Sequence, residues 1–121
     1  MLEAKGAKKV VLTDLAREDM AEAVEDAFRY DKIVLAAASY DGGVFPCMED
    51  FLHHLKAKNY QNRKIAILEN GSWAPSAAKT MRGVLDTMKN LTICEKTVTI
   101  KSTMKEASVS EMEALADELL Q

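Results

Sequence analysis

Residues 33–48 read IVLAAASYDGGVFPCM, and this stretch decides the fold. It opens on an apolar run without alternation, Ile33-Val34-Leu35-Ala36-Ala37-Ala38, the pattern of a strand buried on both faces. Ser39-Tyr40-Asp41-Gly42-Gly43 then breaks the run with polar residues and two glycines free to take positive φ. Pro46 stands where a first helical turn begins, and Met48, Phe51, Leu52 and Leu55 follow at helical spacing. Strand, glycine loop, helix is the unit of an open parallel sheet, in which ligands bind outside the carboxyl ends of the strands. Ser39 to Phe45 is therefore the first place to look for function.

Upstream, Met1 to Lys9 is a polar lead-in, and Val10-Val11-Leu12 reads as a short buried strand ending at Thr13-Asp14, both helix-capping types. From Arg17 to Tyr30, Met20, Val24, Ala27 and Phe28 make one helical face, with the acidic residues mainly on the wet side. Downstream, the helix that starts at Pro46 runs to about Lys58 and a polar turn covers Asn59 to Arg63. Ile65-Ala66-Ile67-Leu68 is the next strand, ending in a second loop, Glu69-Asn70-Gly71-Ser72-Trp73-Ala74-Pro75. A helix from about Ser76 turns Ala78, Met81, Val84, Leu85 and Met88 inward, and Gly83 in its middle points to close packing. Thr97-Val98-Thr99-Ile100 alternates and is β-branched, so it reads as a last strand near an edge. Ser108 and Ser110 each open a capping-box pattern before a closing helix with Met112, Leu115, Ala116, Leu119 and Leu120 on its apolar face. The order β-α-β-α-β-α-β-α predicts an α/β fold, a three-layer open parallel sheet of four strands in one domain.

Composition narrows the function classes. With 121 residues, 48% hydrophobic and 29% charged, the chain reads as a globular domain with a real core. A net charge of −3 gives no electrostatic case for binding nucleic acid, which usually needs a basic face, and no apolar run is long enough to span a bilayer. Cys47 and Cys94 lack metal-type or redox-type spacing and read as reduced thiols of a cytoplasmic protein. Cys47 falls in the first turn of a helix, where a thiol is either activated by the dipole or simply packed. His53 and His54 are adjacent, so on a helix they diverge by about 100° and make a poor metal pair.

Chemistry concentrates in the two strand-end loops. Each carries an aromatic beside glycine, Tyr40 with Gly42 and Gly43, and Trp73 with Gly71. The pair could flank a flat ligand, with the glycines letting backbone amides approach it. On spacing alone, turn punctuation and aromatic cover over the sheet end explain the same residues.

The run Ala38-Ser39-Tyr40-Asp41-Gly42-Gly43-Val44-Phe45-Pro46, followed by Phe51-Leu52, Leu55 and Gly71-Ser72-Trp73, resembles the flavodoxin-like domain of A-type flavoproteins, the flavodiiron family. The resemblance extends from Val10 to the final helix. It implies FMN as cofactor, with Ser39, Tyr40, Asp41, Gly42 and Gly43 as one loop around the flavin ring. Asn70, Gly71, Ser72 and Trp73 would form the other, with Trp73 stacked on the ring. It implies an electron-transfer component working with a redox partner protein rather than a stand-alone catalyst.

The chain also departs from the family. A flavodoxin has five strands and seats the FMN phosphate in a Ser/Thr-Gly loop after the first. Here four strands are recognisable, and Gly6 is the only glycine before Gly42. The expectation is a truncated domain that lacks the family's first strand and phosphate loop and holds FMN weakly. In the flavodoxin order the absent strand lies between Val10–Leu12 and Ile33–Ala38, so either these two pair directly or a second copy fills the gap. The uncovered apolar face predicts a homodimer. A flavodoxin-fold remnant or interaction module without flavin is the alternative. A phosphoacceptor receiver domain fits the length, but it needs an aspartate where Ala38-Ser39 ends the strand.

Overall fold

The computed structural model describes residues 6, 10–15, 17–40, 43–44, 46–70, 77–100 and 106–120, with the backbone alone at 39, 40, 43, 44, 106 and 107. Eight elements follow one another: α1 (Met20–Arg29), β1 (Lys32–Tyr40), β2 (Gly43–Val44), α2 (Pro46–Ala57), β3 (Lys64–Asn70), α3 (Ala77–Leu85), β4 (Thr92–Ile100) and α4 (Glu106–Leu120). The sheet order is β2-β1-β3-β4. β1, β3 and β4 are parallel, and the two-residue β2 pairs antiparallel with the end of β1.

Three of the four expected strands form this parallel sheet; Val10–Leu12 does not join it. Val10, Val11 and Leu12 are 42%, 44% and 91% exposed, and no ladder includes them. The physical reason is the vacancy beside them: a strand is held by its neighbours' hydrogen bonds, and no described strand lies between this segment and β1. β4 is an edge strand, as its alternation predicts, but it begins at Thr92.

The helices follow their apolar spacing. Pro46 starts α2, which buries Met48, Phe51, Leu52 and Leu55. α1 is shorter than its pattern, because its N-cap is Asp19, whose carboxylate accepts from the Ala21 amide at 3.1 Å. Asp14, expected as a cap, instead closes a turn through its carbonyl, which accepts from the Arg17 and Glu18 amides. α4 begins at Glu106, so Ser108 and Ser110 lie inside the helix rather than capping it. Gly83 is not closely packed: a Cβ built there meets nothing within 4 Å.

Two cores flank the sheet. Ile33, Leu35 and Ala37 of β1 join Ile65 and Ile67 of β3 against α1, α2 and α3. Val34 joins Ala66, Leu68, Cys94 and Val98 against Leu115 and Leu119 of α4. β1 therefore departs from its reading as a strand buried on both faces, for Leu35 is 2% exposed while Ala36 and Ala38 are exposed. One helix cannot cover the face that three helices cover on the other side.

Polar groups fasten the ends. Arg63 donates from Nε to the Tyr30 carbonyl (2.9 Å) and from Nη2 to the Phe28 carbonyl (3.0 Å), closing the last turn of α1. Its guanidinium lies 5.2 Å from the Tyr60 ring, which meets Phe28 edge-on at 5.1 Å. β4 bulges between its pairings with Ile65 and Ile67, and the Glu118 carboxylate accepts from the freed Glu95 and Lys96 amides at 2.6 and 3.2 Å.

Candidate functional site

The site is set by the register of β1 on β3. Pairing runs without interruption from Lys32↔Lys64 to Ala38↔Asn70, so the two strands reach their carboxyl ends side by side. The two loops singled out in the sequence therefore leave the sheet as neighbours. Asn70 is exposed at the last position of β3, between Ala38 of β1 and Ile100 of β4.

Ser39 and Tyr40 begin this end differently from the polar loop expected of them. β1 continues through both, and Ser39↔Val44 and Tyr40↔Gly43 form a short hairpin. The register leaves Asp41-Gly42 as the two connecting residues, a pair suited to a two-residue hairpin turn. Among the described residues, β2 is the strand on the outer edge of β1. Asp41, Gly42, Phe45 and Gly71, Ser72, Trp73 lie outside the described residues.

Glu69 is the residue at this end that pattern reading passes over as the first residue of a loop. It is 8% exposed. Its Oε1 accepts from the Ala78 amide at 3.1 Å and its Oε2 from the Thr99 hydroxyl at 2.7 Å. One carboxylate thus ties the first turn of α3 and the end of β4 to β3, fixing where the second loop leaves and where the chain returns. The signal available in sequence is only an acid abutting the apolar run Ile65–Leu68.

The electrostatics of the same end are acidic near α1. Asp14, Glu18 and Asp19 cluster before the helix; the Glu18 carboxylate accepts from the Asp14 amide, and Arg17 reaches Asp14 at 3.8 Å. A phosphate monoester would meet like charge there, and the Asp19 side chain already occupies the Ala21 amide. Among the described residues this acidic stretch before α1 does not suit a phosphate.

The remaining candidates are structural. His53 and His54 are exposed and face Glu49 at 3.7 Å and Asp50 at 3.6 Å, one turn back in α2. Cys47 is half-buried and Cys94 buried, both free, and burial pushes the Cys94 thiol up. No described helix is long and apolar enough to cross a membrane.

No family model matches the chain, and no curated protein matches it. Solved structures do. Flavodoxin 1 from Bacillus cereus aligns with a TM-score of 0.80 at 16% identity, over 98% of this chain and 82% of that one. A flavo di-iron protein from Thermotoga maritima aligns at 0.73 and 25% identity, over 98% of this chain and 30% of that one. A rubredoxin oxygen:oxidoreductase from Desulfovibrio gigas aligns at 0.69 and 14% identity, over 83% and 31%. The chain thus spans about a third of the last two proteins. Open parallel sheet, strand-end loops and these likenesses converge: the chain is a flavodoxin-like domain related to those of the A-type flavoproteins.

Proposed function

We propose that these residues hold the isoalloxazine ring of FMN in an electron-transfer domain of flavodiiron type. The observation that supports this reading is the Ala38↔Asn70 pair, which brings the carboxyl-end portions of β1 and β3 side by side. The likeness to flavodoxin and flavo di-iron structures supports it. Ser39, Tyr40, Asp41, Gly42 and Gly43 would line one side of the ring, and Asn70, Gly71, Ser72 and Trp73 the other, with Trp73 as the stacking partner. A bound flavin supplies one- and two-electron transfer; the residues around it orient the ring and exclude water.

The phosphate is the weak half of the fit. Hydrogen bonds to a charged phosphate contribute about 1.5–3 kcal/mol each. Without roughly three of them, binding loses about 4–9 kcal/mol on that scale. At tenfold per 1.4 kcal/mol, FMN is expected to bind about a thousand to a million times more weakly than in a site with the anchor.

Titration of the 121-residue chain with FMN and with riboflavin, followed by flavin fluorescence, tests both halves. The expected result is weak quenching, equal for the two flavins, and lost in Trp73→Ala. FMN binding much more tightly than riboflavin would overturn the missing-anchor half. No response to either flavin at millimolar concentration would overturn the ring site and leave a flavodoxin-fold interaction module.

A further inference from the structure

We draw no further inference here: the strongest candidate, the mainly apolar groove along the outer edge of β1, lined by Val10–Leu12, Ala36, Ala38 and Phe51, carries nothing because nothing in the structure shows what covers it.

Discussion

The two faces of β1 carry side chains of similar character and meet different fates. On one face Ile33, Leu35 and Ala37 pack beneath α1, α2 and α3; on the other Val34 reaches α4 while Ala36 and Ala38 stay exposed. The difference lies in what stands opposite, not in the strand. An apolar run states that burial is available to a residue, and the number of elements packed over it decides whether burial occurs. The open face adjoins the outer edge of β1, where among the described residues only β2 pairs, at Ser39 and Tyr40.

The largest expected effect tests the contrast directly. Leu35→Ala should cost about 2–5 kcal/mol in denaturant unfolding, whereas Ala36→Lys should change stability by no more than about 0.5 kcal/mol. Equal costs at the two positions would break the comparison.

Next comes the polar anchor of the covered face. Glu69→Ala leaves the Ala78 amide and the Thr99 hydroxyl without their acceptor and should destabilise by about 1–3 kcal/mol. If Glu69 also positions the second loop, flavin quenching falls in the variant at temperatures where it remains folded. Unaltered stability would remove Glu69 from the framework of the site.

A smaller effect is expected at Tyr60, whose ring is buried and whose Oη has no hydrogen-bond partner among the described residues. Burial, opposed by the nearby Arg63, pushes its hydroxyl up to about 12 from 10.0. A raised folded-state value means that the unfolded chain releases this proton first, so stability is full below pH 10 and declines as pH rises towards 12. Tyr60→Phe should flatten that alkaline decline and alter neutral stability by no more than about 1 kcal/mol. An unchanged alkaline limb in thermal melts would assign the decline to other groups.

The smallest effect belongs to the open side. Donation from the Glu95 amide, helped by Lys96, holds the exposed Glu118 carboxyl below the usual range. Its contribution is present above the unfolded-state value and is lost as pH falls through the folded one. Glu118→Ala should lower stability at neutral pH by less than Glu69→Ala does, and reduce the acid sensitivity of the melting midpoint. A larger loss than at Glu69 would show that α4 depends on this contact more than the covered face depends on its own anchor.

Residue pattern alone determined much of this protein. Pro46 with its four buried followers specified α2, the apolar runs at Ile33 and Ile65 specified β1 and β3, and the helix spacing specified the inward face of α4. These readings depend on periodicity, which is a local property of the chain. The end of β3 near Asn70 was legible for the same reason, whereas β1 runs on through Ser39 and Tyr40, past the break expected there.

What needed the tertiary structure is what depends on partners. Val10–Leu12 has a strand's composition but no neighbouring strand among the described residues, and it lies outside the sheet. Tyr40 and Gly43 pair across a hairpin where the sequence pattern announced only a polar loop. Glu69 became an anchor only when α3 and β4 brought an amide and a hydroxyl to its carboxylate. A hydrogen bond or a buried contact belongs to two groups at once, and one stretch of sequence names only one of them.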